Sequence, residues 1–571
     1  MNFVKPKNQI NRYNVVAVLC LIFCSILIIR LFQKQVVQSA EYTEIAKKQY
    51  TEIEDVYASR GKIYITDKWE KEPFAVATNI HLYSVQVIPK NIQDPLQTAQ
   101  KLSSVLKINE KELYEKINNK KPYLPPIVKK LDKETAKKIA DFELTGVMLI
   151  PEEQRVYPEG NFLSNLLGFV DASQNGRYGV ENFYNEELKG KYGKNISSKI
   201  GLEGITLEQV INSQDGQNLY LTIDHTVQYI CEKYLQDAIN QYKAASGQVA
   251  IAEASTGKIL AMASSENYDP NKFNEVKDIN KFNNPVISYS YEPGSIFKPI
   301  TMAAAIDAGK IEPDTTQVFG ASVKVHDRTI KTSTNKAYGK ETMTQVLENS
   351  DNVAMVWVAD QLGSDLFSQY LQNFGFGKKT GIDLEAEADV WFPDNNKISD
   401  VSRATMSFGQ GIATTPIQIL NSYIALANNG KLMQPYVVDK IISENDETIQ
   451  NNPIEVKQVI KPETANKITG MLISVVENGH GKKAGVKGYK VAGKTGTAQV
   501  PDLVNGGYKE HENIGSFAGY FPANNPKFVM LVKIDNPKTV TWAEESAAPV
   551  FGKIAKWLLQ YYQIPPTESV E

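Results

Sequence analysis

Cysteine is nearly missing from this chain: there are three in 571 residues, and Cys20 and Cys24 both fall inside an N-terminal apolar run. Cys231 is left without a partner, so no disulfide framework can staple the remainder, and it reads as a small buried hydrophobe. Histidine is almost as scarce. His81, His225, His326, His480 and His511 are scattered, with no H-E-x-x-H and no paired C-x-x-C. That spacing predicts no metal site, and nothing calls for another cofactor. Charge of one sign is lacking too. The 62 basic and 65 acidic residues leave a net charge of −3, which excludes the basic footprint of a nucleic-acid binder.

Long apolar runs are absent except for one. "VVAVLCLIFCSILIIRLF", Val15 to Phe32, is 18 residues broken only by Ser25 and Arg30. That length just spans a bilayer, and Arg30 near its far end can reach the headgroups. No small-x-small cleavage site follows, since the chain continues "RLFQKQ", so the run reads as an uncleaved anchor and not a signal peptide. Lys5, Lys7 and Arg12 precede it, which puts the N-terminus in the cytoplasm and everything after about residue 34 outside the cell or in the periplasm.

What is present in quantity is ordinary globular composition, 42% hydrophobic and 22% charged, in a chain long enough for two or three domains. Up to about residue 215, strand-like pieces such as "HLYSVQVIP" alternate with Lys-rich helical runs such as "KKLDKETAKKIADFEL", without a fixed repeat or a low-complexity linker. The polar turn near 213–217 reads as a boundary: "LYLTI" follows as a strand, and Asp224 is placed to cap an amphipathic helix. "ASGQVAIAEASTGKILAMAS" is a hairpin. Ala-rich helices fill the middle, with Gly430 as a helix stop. Strands return in "GYKVAGKTGTAQV", "IGSFAGYFP" and "KFVMLVKI", and "APVFGKIAKWLLQYY" closes as an amphipathic helix. Strands at both ends around a helical middle predict an α+β fold with one antiparallel sheet.

Three short elements carry chemistry. In "YEPGSIFKPITMAAAIDAGK", Ser295 and Lys298 stand three apart at the entry to an apolar helix. Pro293-Gly294 gives a sharp turn, the free N–H groups of the first helical turn favour negative charge, and burial can lower a lysine pKa enough to make it a base. S-x-x-K alone decides little, because Ser104, Ser255 and Ser333 also begin such matches. Ser104 lies in the charged N-terminal region, Ser255 in the hairpin turn and Ser333 in a polar loop. "LENSDNVAMVWVADQLG" places Ser350, Asp351 and Asn352 between two apolar helical runs. Ser350 could relay a proton and Asn352 could hold an amide. "VAGKTGTAQV" places Lys494, Thr495, Gly496 and Thr497 on a strand, where glycine often marks close approach of another group. A second K-T-G at Lys379 to Gly381 lies in the turn-like "GFGKKTGID".

S-x-x-K, S-D-N and K-T-G together are the joint signature of penicillin-binding proteins and class A β-lactamases. Here they occur in that order, 55 and then 144 residues apart. With "EPGSIFKP", "SFGQGIATTPIQ", "GSFAGYFP", "SRGKIYITDK" at Arg60-Gly61, "RVYPEGNFLSNLLGFV" and "YGVENFYNEELKGKYG", the chain resembles a class B penicillin-binding protein across nearly all of its exported body. Two departures fall in the N-terminal region. The usual R-G-x-I-x-D-R-x-G reads "RGKIYITDKWE", and "GVEN" stands where a more acidic pattern is typical.

The resemblance implies a penicillin-binding, serine β-lactamase-like transpeptidase domain over 216–565, its antiparallel sheet flanked by helices. An elongated mixed α/β pedestal or dimerisation-type domain over 34–215 would precede it, behind an anchor over 14–33, with tails over 1–13 and 566–571. It implies a peptidoglycan D,D-transpeptidase of the cytoplasmic membrane, acting on stem peptides of lipid-linked precursor and acylated by β-lactams. A multi-spanning glycan polymerase and other division proteins are its expected partners. In the implied roles Ser295 is the nucleophile, Lys298 the base, and Ser350, Asn352 and Lys494 complete the catalytic set. Thr495, Gly496 and Thr497 bind substrate, and the N–H groups of Ser295 and Thr497 form the oxyanion hole. "YEPGSIFKP", the moderate length and the lack of an appended C-terminal repeat domain lean toward the septal type. A D,D-carboxypeptidase, a β-lactam-sensing receptor and a silent scaffold are the alternatives on the same fold. A class A β-lactamase is disfavoured by the absence of the deacylating E-x-x-L-N string.

Overall fold

The computed structural model describes residues 12–42, 51–56, 58–70, 72–199, 205–393, 398–502 and 505–567. Lys5 and Lys7, and residues 568–571 of the expected C-terminal tail, lie outside them. The chain divides into two compact units, Met1–Ala58 with Gly190–Asp215, and Ser59–Lys189 with Gly216–Glu571.

In the first unit the apolar run forms the helix Arg12–Phe32, extended by a π-turn over Gln33–Val37. Its 21 residues at about 1.5 Å each match a hydrocarbon core of about 30 Å. Over Arg12–Val37 the mean hydropathy reaches 2.9 and no residue is buried. The two polar side chains are satisfied along the helix: Ser25 Oγ donates to the Leu21 carbonyl at 2.8 Å and Arg30 Nη1 to Gln33 Oε1 at 2.8 Å. The same unit holds an antiparallel sheet of Thr51–Val56, Gly193–Lys199 and Ile205–Ile211, with the Gly193 strand in the centre.

The second unit joins early and late sequence in one sheet. Asn218–Asp224 runs parallel to Ile63–Thr66 and antiparallel to Val438–Ile442, and Ile63–Thr66 pairs in turn with Phe74–Val87. Here the two departures from the family pattern find their places. Glu181, of "GVEN", is fully buried between Arg60 and Arg155: Arg60 Nε donates to Oε2 at 2.8 Å, Arg155 Nε to Oε1 at 2.7 Å, and the Tyr157 hydroxyl to Oε1 at 3.1 Å. Burial opposes ionisation, yet the two guanidiniums hold this carboxyl below its ordinary value. In "TDKWE", Asp67 accepts from the Trp69 N–H at 2.9 Å and from the Thr226 hydroxyl, while Lys68 Nζ donates to the Tyr562 carbonyl at 3.0 Å. The altered loop therefore ties the Arg60 segment to the end of the chain. Glu181→Gln leaves two guanidiniums buried around a neutral amide and is expected to cost about 3–5 kcal/mol of unfolding free energy. The denaturant midpoint of the detergent-solubilised protein measures this, and an unchanged midpoint would remove the cluster from the stability argument.

The centre of this unit is a five-stranded antiparallel sheet. Its strands are β1 (Ser246–Glu253), β2 (Ile259–Ser264), β3 (Ala492–Pro501), β4 (Tyr508–Phe521) and β5 (Phe528–Asp535), in the spatial order β2-β1-β5-β4-β3. The expected hairpin is β1 and β2, and the chain-terminal strand β5 lies beside β1 from Ser246↔Asp535 to Glu253↔Phe528. Both faces are covered, which explains the unbroken apolar run in "KFVMLVKI". Met530, Val532 and Ile534 pack with α1 (His225–Tyr242) and the C-terminal helix Ala547–Tyr561, whereas Val529 and Leu531 pack with Ile419, Leu420 and Tyr423 of the helix Pro416–Ala427. Each buried Val, Leu or Ile contributes about 1.5–3 kcal/mol. Asp224 caps α1 through the Val227 N–H at 3.0 Å, as expected. The helix before Gly430 ends at Ala427, with Asn429 and Gly430 both at positive φ. Strand β3 is left at the sheet's edge, so alternate N–H and C=O groups on its outer side have no strand partner.

Candidate active site

The nucleophile segment is built from its ends inward. Tyr291 exchanges both backbone hydrogen bonds with Thr414 at 2.9 Å, and the Gly294 N–H donates to the Gly409 carbonyl at 3.0 Å. Gly294 sits at φ +59°, a conformation glycine adopts at little cost. The chain then makes a 3-10 turn, Gly294–Phe297, before the α-helix proper, α2 (Lys298–Asp307). The expected helix entry at Ser295 is therefore a 3-10 turn, and Lys298 is the first α-helical residue. With three residues per turn, positions i and i+3 eclipse, so the tighter turn brings Ser295 and Lys298 more nearly to one side. Every residue of α2 except Asp307 is buried, which is why the run is apolar all round and not amphipathic.

"SFGQGIATTPIQ" explains itself as support for that turn. Thr414 and Gly409 hold it from outside, and the Ser407 carbonyl accepts from Thr301 Oγ1 at 3.0 Å. Thr415 and Gln418 form a capping box that starts the helix Pro416–Ala427, whose Tyr423 hydroxyl donates to the Ile296 carbonyl at 2.8 Å.

The second element lies between α3 (Met343–Asn349) and α4 (Asn352–Asn373). Ser350 is held at φ +55°, left-handed backbone that is uncommon for serine and typical of sites where the surroundings dictate conformation. Asp351 caps α4, accepting from the Val353 and Ala354 N–H groups at 2.7 and 3.2 Å. The turn thereby directs Ser350 and Asn352 at Lys298. Lys298 Nζ donates to the Ser350 carbonyl at 2.5 Å, to Ser350 Oγ at 3.1 Å and to Asn352 Oδ1 at 2.7 Å. Lys494 Nζ, from β3, reaches the same Ser350 Oγ at 3.0 Å. One hydroxyl thus bridges two lysines, both fully buried. Burial, reinforced by the Lys494 charge, pushes Lys298 well below an ordinary lysine. Burial pushes Lys494 down to about 7, with the Glu544 carboxylate working against it.

Ser295, Ser350, Asn352, Thr495 and Thr497 line a cleft of about 280 Å³. Gly496 does not line it. A Cβ there would stand 2.9 Å from Ile296 Cγ2 and 3.0 Å from the Pro293 carbonyl, so this glycine lets the nucleophile turn lie close against β3. The Thr497 carbonyl faces Gly294, within 3.4 Å of where a Cβ on that residue would be. In an extended strand the N–H and C=O of one residue point the same way, so the Thr497 N–H also faces the turn carrying Ser295. The cleft's far wall is Trp542 to Glu544, fixed by the Ala543 N–H donating to Thr497 Oγ1 at 3.0 Å, and His480 Nδ1 meets Glu544 Oε2 at 2.8 Å.

Sequence reasoning missed His480, Trp542 and Glu544, whose letters match no short motif. It set Ser333 aside as a loop decoy, and that polar loop, with Thr334, forms part of the cleft wall. The other decoys are spent elsewhere. Thr380 and Gly381 donate backbone N–H groups to Glu387 at 2.6 and 3.1 Å, and Ser104 Oγ donates to the Lys101 carbonyl at 2.7 Å. The assembled site offers a hydroxyl, a buried amine of low basicity, backbone donors for an oxyanion and a second amine for an anionic group. That set suits acyl transfer from a substrate bearing a carboxylate.

Comparison with known proteins agrees with that chemistry. Residues 247–556 match the family described as penicillin binding protein transpeptidase domain, and residues 55–221 match the penicillin-binding protein dimerisation domain. The chain is 34% identical over 553 residues to stage V sporulation protein D of Bacillus subtilis, covering 95% of this chain and 84% of that one. It is 29% identical over 581 residues to the peptidoglycan D,D-transpeptidase FtsI of Escherichia coli, covering 98% and 95%. A crystal structure of a peptidoglycan synthetase from Bifidobacterium adolescentis superposes with a TM-score of 0.76 at 25% identity, covering 91% of this chain and 98% of that one.

Proposed function

This chain belongs to the class B penicillin-binding proteins, and on that footing we propose that Ser295, Lys298, Ser350, Asn352 and Lys494 carry out its reaction. The protein is a serine-type peptidoglycan D,D-transpeptidase that binds penicillins and works in cell-wall synthesis. The observation that carries the residue assignment is the hydrogen-bonded chain from Lys298 Nζ through Ser350 Oγ to Lys494 Nζ at 3.1 and 3.0 Å.

The steps follow from that chain. Neutral Lys298 takes the Ser295 hydroxyl proton as Oγ attacks the carbonyl of the penultimate D-Ala. The Ser295 and Thr497 N–H groups meet the oxyanion. Lys494 and the Thr495 hydroxyl hold the terminal carboxylate, and Asn352 holds the stem-peptide amide. The C–N bond to the terminal D-Ala breaks as its nitrogen receives a proton relayed by Ser350, and Ser295 keeps the acyl group. An amine of a neighbouring stem peptide then attacks the ester carbonyl and loses its proton through Ser350 to Lys298. The C–O bond to Ser295 breaks, Oγ takes that proton back from Lys298, and the crosslinked peptide leaves.

The anchor supports a single-pass topology with the N-terminus in the cytoplasm and the catalytic unit outside. We place the enzyme beside a multi-spanning glycan polymerase, contacted through that anchor, in synthesis of a septum. Substituting Ser295→Ala is expected to abolish covalent labelling by a fluorescent penicillin while leaving the thermal midpoint in place, and label persisting in this variant would overturn the assignment. With crosslinkable peptidoglycan the wild type should yield dimers by mass spectrometry. Trimmed monomers alone would make water the acceptor.

A further inference from the structure

Two carboxyl groups that the mechanism does not use lie directly behind the Ser350 turn. Glu341, on the short strand Gly339–Thr342, is 2% exposed and Asp351 is fully buried. Glu341 Oε1 accepts from Asn349 Nδ2 at 2.8 Å, and Asp351 Oδ1 takes the first N–H groups of α4. The remaining oxygens, Glu341 Oε2 and Asp351 Oδ2, are both buried and, among the described residues, reached by no N–H or hydroxyl donor. The two carboxyls lie within hydrogen-bonding reach of each other. Two carboxyls this close resist ionising together, and one proton between them satisfies both oxygens.

We propose that Glu341 is a positioning residue for acyl transfer: its carboxylic acid donates to Asp351, fixing the Ser350–Asn352 turn against Lys298, and the pair's single negative charge sets how readily Lys298 releases its proton. The inference rests on the reading of Lys298 as the base.

Among the described residues, few groups face the pair. Lys298 approaches from α2 and Asn349 from α3, while Lys494 on β3, with Glu544 near it, acts on the far side of Lys298. Burial and the Asp351 carboxylate push the Glu341 carboxyl up to about 7, against Asn349 and Lys298. As pH rises through that value the pair gains a second negative charge. The turn is then loosened by repulsion, which takes Ser350 and Asn352 out of line with Lys298. Lys494 loses its proton in the same range, which weakens the hold on the substrate carboxylate.

The full-length protein in detergent tests this through the rate of fluorescent-penicillin acylation between about pH 5.5 and about pH 9. Wild type should show an alkaline limb that falls with two protons. Glu341→Gln retains a donor for Asp351 and cannot ionise, so its limb should fall with one proton, that of Lys494. Glu341→Ala lacks the donor and should acylate about tenfold more slowly or worse at every pH, with most of the rate recovered in Glu341→Gln. A two-proton limb persisting in Glu341→Gln, or equal rates in the two variants, would overturn the proposal. Where Glu341→Ala does not fold, the Glu341→Gln limb alone decides. Failure of wild type to label at Ser295 would instead sink the underlying reading of the site.

Discussion

Replacing Lys298 with methionine is expected to slow acylation of Ser295 by about 10²–10⁴-fold, the range in which a positioned general base operates. Methionine is close in length and apolar, so the fully buried position of Lys298 tolerates its bulk. What disappears is the amine that meets the Ser350 carbonyl, Ser350 Oγ and Asn352 Oδ1. Arginine provides the second arm of the test. It keeps a positive charge and donors, yet it does not deprotonate in proteins. If Lys298 served only to hold Ser350 and Asn352 by charge, Lys298→Arg would recover much of the rate. The structure points the other way, because burial and the neighbouring Lys494 charge both favour neutral Lys298. Stopped-flow acylation with a fluorescent penicillin should therefore find both variants slow. A Lys298→Arg rate within about tenfold of wild type would remove the base assignment.

How much of this was legible in the sequence depended on distance along the chain. The hairpin β1–β2, the Asp224 cap and the final amphipathic helix are local patterns, and each forms where its letters lie. The choice between two K-T-G copies was also local, since one sits in a strand run and the other in a glycine-bounded turn. The three chemical elements were readable only because their joint order is a known signature. Neither periodicity nor spacing brings Ser350 to Lys494, 144 residues away. The Arg60–Glu181 ion pair shows the same limit. Both residues stood in quoted motifs, but nothing in either motif says that they meet across 121 residues. Glu341 was silent for a different reason: a glutamate on a short polar strand reads as a solvated side chain until its burial beside Asp351 is seen. The 3-10 turn at Ser295 was hidden because "GSIFKP" fits either helix type. The Gly409 carbonyl, 115 residues away, accepts the Gly294 N–H that begins this tight turn.

The largest effect expected outside the reacting groups is at Gly496. A methyl group here would meet Ser516 Oγ at 2.8 Å, Ile296 Cγ2 at 2.9 Å and the Pro293 carbonyl at 3.0 Å. The serine hydroxyl and the isoleucine methyl can shift, but the carbonyl belongs to the backbone immediately before the nucleophile turn. Relief therefore moves that turn away from β3 by tenths of an ångström. The same movement separates the Ser295 and Thr497 N–H groups, one of which stays with the turn and the other with the sheet. Loss of one aligned oxyanion donor costs about 10²–10³-fold, so Gly496→Ala is expected to acylate about 10²-fold more slowly. Stability should fall far less, because the edge strand keeps its ladder to β4 from Ala492↔Tyr520 to Gln499↔Asn513. Gly470 supplies the control: it is exposed, lies inside the helix Pro462–Glu477, and a Cβ there meets nothing within 4 Å. Gly470→Ala should acylate at the wild-type rate and raise stability by about 0.5–1 kcal/mol. Rapid acylation by Gly496→Ala, with its thermal midpoint near wild type, would show that β3 and the nucleophile turn do not need their close approach. The oxyanion hole would then have to be built from other donors.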